Sequence, residues 1–347
     1  MDDRRGLARS AGLLVVAFVA TLILLGGLWV GLGGQARPIA EATATPTLPI
    51  ESEPVASVDA SASPGASPVS QEPRSVAPSP SGDPVIVGAG DIASCGLDGD
   101  EATAELLDGI AGTVFTAGDN AYEDGSDENY AECYEPTWGR HKSRTKPVPG
   151  NHDYQTKDAA GYRKYFGAAA LNEDGDTWYS FDLGTWHVVM LDSNCGAIGG
   201  CAADSPEGTW LAADLAANPT TCTLAIWHHP RFSSGDEHGN DPRTDPFWRL
   251  LYAAGADVIV NGHDHDYERF APQNPDGKED RAKGIREFVA GTGGASLRGF
   301  NPPVANSELR VAVTPGVLEL TLHPSGYDWN WIPTSGLVSD KGSGPCH

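Results

Sequence analysis

Residues 84–91 read PVIVGAGD and residues 257–263 read DVIVNGH. In each, a short apolar run rich in β-branched residues stops at a turn that carries a side chain able to bind a metal or a proton. Related runs occur as TVFTAGD at 113–119, VPGN at 148–151 and TCTLAIWH at 221–228. Continuous apolar runs fit strands covered on both faces, and the polar residue then falls at the carboxyl end. Helical candidates lie between them, at 101–110, at 206–217 with Ser205 as N-cap, and at 245–254, where Phe247, Leu250 and Leu251 share a face. Strands alternating with helices predict an α/β fold, and open α/β sheets place their sites where the strands end. Further strands are expected in 177–192, REFVAG at 286–291 and GVLELTLHP at 316–324, whose alternation adds partly antiparallel sheet.

The rest of the chain divides by composition. Residues 11–34 contain no charged residue and follow Arg4, Arg5 and Arg9. That stretch is long enough to span a bilayer, which takes roughly 20 apolar residues, and the arginines favour a cytoplasmic N-terminus. A cleaved signal is the competing reading, because Ala40-Glu41-Ala42 offers the small-residue spacing of a cleavage site. Residues 36–83 hold 9 Pro, 9 Ala, 9 Ser and 3 Thr and no aromatic residue, too little apolar surface to offset chain entropy. The expected organisation is a signal anchor or signal peptide at 1–35, a linker at 36–83 and a catalytic domain at 84–347. The domain is expected outside the cytoplasm, membrane-anchored by that single helix or secreted.

Residues 84–347 carry 18 Lys and Arg against 39 Asp and Glu, a net charge of −21. Nucleic acid and anionic membrane surfaces reward clustered positive charge, so neither is expected as a partner of this domain. If the domain binds phosphate, local metal charge must overcome a repulsive far field. All six cysteines lie here and none forms a CxxC pair, which argues for disulfides over a zinc ribbon. Cys195 and Cys201 enclose Gly-Ala-Ile-Gly-Gly, flexible enough to close a small loop. Cys95 with Cys133 and Cys222 with Cys346 are the pairs expected beside it, the latter fastening the C-terminus to a core strand.

Singly, the polar strand ends have ordinary explanations: a lone Asp after Gly is usually a turn or cap, and Gly-Asn is a common turn dipeptide. Jointly they do not. Gly90-Asp91, Gly118-Asp119 with Tyr122, Gly150-Asn151-His152-Asp153, Trp227-His228-His229-Pro230 and Gly262-His263-Asp264-His265 each follow an expected strand. Carboxylate, phenolate, amide oxygen and imidazole are hard to borderline donors, suited to iron, manganese or zinc. Two such ions about 3.5–4 Å apart can acidify a water and clamp a phosphoryl group.

The ordered series GD, GDNAY, GNHD, WHHP and GHDH resembles the calcineurin-like metallophosphoesterases, specifically their purple acid phosphatase branch. HDYERF, AGTGGA at 290–295 and the terminal GVLELTLHP extend the likeness over nearly all of 84–347. The resemblance implies a four-layer α/β/β/α sandwich with mixed sheets. It implies that Asp91, Tyr122 and His265 hold one metal, that Asn151, His228 and His263 hold the other, and that Asp119 bridges. In the wider superfamily the first motif is Asp-x-His, whereas this chain has Asp91-Ile92-Ala93, and Tyr122 offsets the missing imidazole. A phenolate ligand favours iron(III), paired with a divalent ion, iron, zinc or manganese. His152 and His238 are implied as catalytic and substrate-contacting residues, and His229 as a substrate-pocket residue. The implied activity is hydrolysis of phosphate monoesters of small molecules by a metal-activated hydroxide. A phosphodiesterase or nucleotidase with the same centre is the first alternative, and a non-catalytic binding module on a stalk the second.

Overall fold

The computed structural model describes residues 82–336 and 338–347. The expected anchor and the linker up to residue 81 lie outside them. Among the described residues no helix is long and apolar enough to cross a membrane.

In chain order the elements begin with β1 (Val85–Ala89), α1 (Gly99–Asp108), β2 (Thr113–Ala117), the single turn α2 (Asp127–Asn129), β3 (Thr145–Val148) and α3 (Ala160–Phe166). Then come β4 (Tyr179–Leu183), β5 (Trp186–Met190), α4 (Pro206–Ala217), β6 (Cys222–Ile226), α5 (Asp245–Ala254) and β7 (Val258–Asn261). The chain closes with β8 (Tyr267–Phe270), β9 (Arg286–Ala290), β10 (Ser307–Val311), β11 (Gly316–His323), β12 (Gly326–Pro333) and β13 (Asp340–Pro345).

Two mixed sheets result, one ordered β13-β12-β11-β1-β2-β3 and the other β10-β8-β9-β7-β6-β5-β4. β1, β2 and β3 run parallel, as do β5, β6, β7 and β9, while β11, β12 and β13 pair antiparallel at one side. Strand periodicity explains why the central strands are apolar throughout. On β6, Leu224 and Ile226 enter one cluster with Ile86, Phe115 and Leu318 of the first sheet. The intervening Ala225 faces a different cluster, with Leu211 of α4 and Phe247 and Leu251 of α5. A third cluster joins Val87 and Val114 to Ala104 and Leu107 of α1 and to Tyr162 and Phe166 of α3.

The expected helices at 206–217 and 245–254 form with those bounds. Ser205 Oγ accepts the Gly208 N–H at 3.1 Å, satisfying a donor at the start of α4. The first helix starts and ends about two residues before its expected span, with Gly109 at its C-cap. All three expected disulfides form, Cys195–Cys201, Cys95–Cys133 and Cys222–Cys346, and no cysteine is free. The strands at β8, β10, β12 and β13 were not expected from the sequence.

Candidate metal centre

Parallel strands point their carboxyl ends the same way, so the loops after β1, β2, β3, β6 and β7 bring Asp91, Asp119, Asn151, His228 and His263 together. The turns are sharp. Asp91, Asp119 and His263 themselves adopt positive φ, 59°, 48° and 72°. Such conformations cost about 1–3 kcal/mol each and persist only where the surroundings hold them. Here they are held by hydrogen bonds between loops. His263 N–H donates to Asp91 Oδ2 at 2.8 Å, His152 N–H to Asp119 Oδ1 at 2.7 Å, and Asp91 N–H to Gly118 O at 3.0 Å. Gly150 is needed for closeness of approach, because a Cβ there would sit 2.1 Å from Asp119 Oδ1.

One donor group centres on the Tyr122 hydroxyl. It lies 3.0 Å from Asp91 Oδ1, 3.1 Å from Asp119 Oδ2 and 3.1 Å from His265 Nε2. Ala93 supports it through the backbone: Tyr122 N–H donates to Ala93 O at 2.8 Å, which fixes the tyrosine loop beside the Asp91 loop. The other donor group centres on His228 Nε2, which lies 3.1 Å from Asn151 Oδ1, 3.2 Å from His263 Nδ1 and 3.3 Å from Asp119 Oδ2. Asp119 is common to both.

The protonation pattern tests whether these groups suit a cation. His228 Nδ1 faces Ala117 O at 2.8 Å and His265 Nδ1 faces Ser296 O at 2.8 Å. A carbonyl only accepts, so each Nδ1 carries the proton and each neutral ring turns its Nε2 lone pair inward. Around those Nε2 atoms acceptors predominate, Asn151 Oδ1 and Asp119 Oδ2 at His228 and Asp91 Oδ1 at His265, against the single Tyr122 hydroxyl proton and His263 Nδ1. Such a cluster needs extra protons or a cation, and an imidazole held through its far nitrogen by a carbonyl is the usual arrangement of a metal-binding histidine.

The electrostatics agree. Burial alone would lower His228, but Asp119 and Asp91 outweigh it and lift the imidazole to about 9, so that without a cation its Nε2 takes up the extra proton the cluster needs. Burial would raise Asp119, yet His228 and His152 hold it below the usual carboxylate range. Tyr122 is pushed far above a free phenol by burial and by both carboxylates. His263 is driven down by burial and by the neighbouring imidazoles of His228, His229, His238 and His265. Two carboxylates, a phenol, an amide oxygen and three imidazoles fit a pair of hard to borderline ions.

The three residues expected to meet substrate also reach the centre. The half-buried His152 sets its ring 4.5 Å from Tyr122 and its Nδ1 2.5 Å from Glu123 O. His229 is buried beside His263, ring centroids 4.4 Å apart, with Nδ1 2.7 Å from Ser193 Oγ. Burial and the adjacent His228 push it down to about 3. His238 stacks on His263 at 4.0 Å and 20°. The remaining histidines, His141, His187, His323 and His347, bond to Ala104 O, Asp214, Asp83 and Asp257, outside this cluster.

Several supporting residues were not foreseen. Asp153 accepts from Gly150 N–H at 2.8 Å, Asn120 Nδ2 at 2.9 Å and Tyr130 Oη at 2.6 Å, tying the Asp119 loop to the Asn151 loop. Asp264 accepts from Ser233 Oγ at 2.5 Å, Gly239 N–H at 3.0 Å and His238 N–H at 3.3 Å, which anchors the segment carrying His238. Arg298 donates from Nη1 to His238 Nε2 at 2.6 Å. The signals were present, as an Asp completing GNHD, an Asp inside GHDH and an Arg after the glycine-rich 290–295, but each acquires a role only through a partner distant in sequence.

Known proteins share this arrangement of sequence. Purple acid phosphatase 15 of Arabidopsis thaliana is 34% identical over 159 residues, 40% of this chain and 29% of that protein. Purple acid phosphatase 21 of the same plant is 30% identical over 169 residues, 42% of this chain and 38% of that protein. The match thus spans about a third of these relatives' length. In fold, the chain resembles a purple acid phosphatase from yellow lupin seeds, with a TM-score of 0.60 at 18% identity over 75% of this chain and 53% of that one. The family model for calcineurin-like phosphoesterases matches residues 82–267, from before β1 to the GHDH segment, and with more than half of the chain inside that match the protein belongs to the calcineurin-like phosphoesterase family.

Proposed function

We propose that the protein hydrolyses phosphate esters, monoesters foremost, at a two-metal centre. One ion is held by Asp91, Tyr122 and His265, the other by Asn151, His228 and His263, with Asp119 bridging. The observation that carries this reading is the pair of Nε2 atoms of His228 and His265 set among carboxylate, amide and phenol oxygens, each ring fixed by a carbonyl at its Nδ1. Bound there, iron(III) and a divalent ion (iron, zinc or manganese) would supply the Lewis acidity that lowers the pKa of a nucleophilic water and neutralises phosphoryl charge.

The chain's own residues do the rest. His152 gives its Nδ1 proton to Glu123 O, so in the imidazolium form its Nε2–H would donate to a phosphoryl oxygen or protonate the departing alkoxide. His238 and His229 flank the His263 side and wall the substrate's position. No protein nucleophile is required. The packing clusters support a four-layer α/β/β/α reading of the domain at 84–347, and the disulfides with the arginine-flanked apolar stretch at 11–34 support a location outside the cytoplasm, anchored or secreted.

The test is to express the chain, quantify its metals and compare monoester with diester chromogenic substrates. Two metals per chain with faster monoester turnover is the expected result. A protein that takes up metal but hydrolyses neither class would overturn the proposal, and faster diester turnover would favour the phosphodiesterase alternative.

A further inference from the structure

The segment that follows β9 turns back over the candidate centre and is bonded to its ligands three times, first through Ala295 N–H, which donates to Asp91 O at 3.0 Å. Ser296 O accepts His265 Nδ1, and Arg298 N–H donates to His265 O at 3.0 Å. The Arg298 side chain then reaches across to the other side of the centre, where Nη1 donates to His238 Nε2 at 2.6 Å, and His238 is stacked on His263. Arg298 is therefore fixed through its backbone to a candidate ligand of one ion and through its side chain to a histidine lying on a candidate ligand of the other. Among the described residues it is the one Lys or Arg hydrogen-bonded to the side chain of a candidate site residue.

The guanidinium is not committed to a buried structural pair. Its side chain is 25% exposed, and its ionic partner is Glu237, 2.9 Å from Nε and itself 55% exposed. Glu237 and His238 belong to one segment, 233–240, which is pinned from below. Asp264 takes three of its donors, and Glu268 takes the Ser234 N–H at 2.7 Å and its hydroxyl at 2.6 Å. Asp236 N–H donates to Gly299 O at 3.1 Å, so the segments carrying Glu237 and Arg298 are joined through the backbone as well. The scaffold is rigid while the ion pair at its tip is open to water.

The geometry points to Arg298 as a phosphoryl-binding residue of this centre, with Glu237 as the carboxylate that occupies it until substrate arrives. A planar guanidinium matches carboxylate and phosphate oxygens alike, so a phosphoryl group displaces Glu237 by exchange of one anion for another. This rests on the phosphoesterase reading above and sharpens it. In a domain of net charge −21, a fixed cation at the mouth favours the dianionic monoester over the monoanionic diester.

The experiment uses the metal-loaded full chain and the variants Arg298→Gln, Arg298→Lys and Glu237→Gln, each with its metals quantified. Inorganic phosphate binding is measured by calorimetry, and KM and kcat are measured on an aryl phosphate monoester and the matching diester. Arg298→Gln is expected to weaken phosphate binding roughly 10- to 100-fold, the worth of one charge-assisted hydrogen bond. It should raise the monoester KM more than the diester KM at unchanged metal content. Arg298→Lys should recover part of the loss, and Glu237→Gln should act oppositely, tightening phosphate. Unchanged phosphate binding in Arg298→Gln, or weaker binding in Glu237→Gln, overturns the assignment, as does a parent protein that binds no phosphate. A parent that shows this binding pattern yet hydrolyses neither ester supports Arg298 and defeats the phosphoesterase reading instead.

Discussion

On the proposed two-metal reading, Tyr122 would set the character of the first ion, since this chain has Ala93 where the wider superfamily's first motif carries an imidazole. Its hydroxyl touches Asp91, Asp119 and His265, and its high pKa in the absence of a cation means that only a strongly Lewis-acidic ion would displace the proton. With iron(III) bound, the phenolate should give a visible charge-transfer band. Tyr122→Phe removes one oxygen and no carbon, so the fold should persist while the band vanishes and the first ion weakens. An unaltered spectrum in an iron-loaded sample would refute phenolate ligation. Asp119→Asn should do more harm, since the neutral amide reduces charge beside both donor groups, and metal content and turnover should fall together. His152→Ala should instead keep both metals and slow turnover about 10²–10⁴-fold. These residues are legible in sequence because each sits directly after an apolar run with its motif intact. Ser193, Asp264 and Arg298 are not, because a serine holding His229 or an arginine meeting His238 means nothing until the fold brings the partner in.

At the scale of elements, the parallel strands and the helices between them follow from local pattern, and the C-terminal sheet edge does not. β13 reads DKGSGP, a composition that suggests a turn. Its pairing with β12 explains it: Gly342 lies opposite Trp329 and Gly344 opposite Tyr327. A Cβ at Gly342 would sit 2.2 Å from the Trp329 ring and one at Gly344 2.6 Å from the Tyr327 ring, so cross-strand aromatics require glycine there. Gly342→Val, a better strand former by propensity, should therefore destabilise the edge, read as faster hydrogen exchange of β12 and β13 amides. Equal protection would show that the rings move aside at no cost. The start of α4 offers the opposite case, fully legible from Ser205 and Pro206. Ser205→Ala should cost about 1 kcal/mol by denaturant titration, because the Gly208 N–H loses its acceptor.

For the whole molecule, the buried acids and the buried imidazoles together set how stability varies with pH. Burial raises Glu207 and Glu287 well above the carboxylate range, and raises Asp257 to about 6 against the pull of Thr223 N–H and His347. His187 is also raised, because Asp214 at 2.8 Å and Asp182 at 3.1 Å outweigh its burial. Every one of these groups binds its proton more tightly folded than unfolded. Their contribution is therefore complete below the unfolded values, near 4 for the carboxyls and near 6.5 for the histidine, and is lost as pH rises through the folded ones. Asp91 and Asp119, both lowered, work the other way at more acidic pH, and the buried His229 and His263, also lowered, add stability as pH rises through the free-imidazole range near 6.5, offsetting part of the decline. The protein should accordingly unfold at lower denaturant concentration at pH 8 than at pH 5.5, which suits a chain whose net charge of −24 already strains the compact state at high pH. Asp257→Asn removes one titration while leaving an oxygen for the Thr223 N–H at 2.9 Å, so it should flatten the decline by about 1 kcal/mol, because at pH 5.5 a carboxyl raised to about 6 retains only part of its contribution. His187→Gln should lower stability at pH 5.5 and leave it little changed at pH 8. Stability that rises between pH 5.5 and 8 in the metal-free protein would show that the lowered imidazoles of His229 and His263 outweigh the raised carboxyls, against the expected balance.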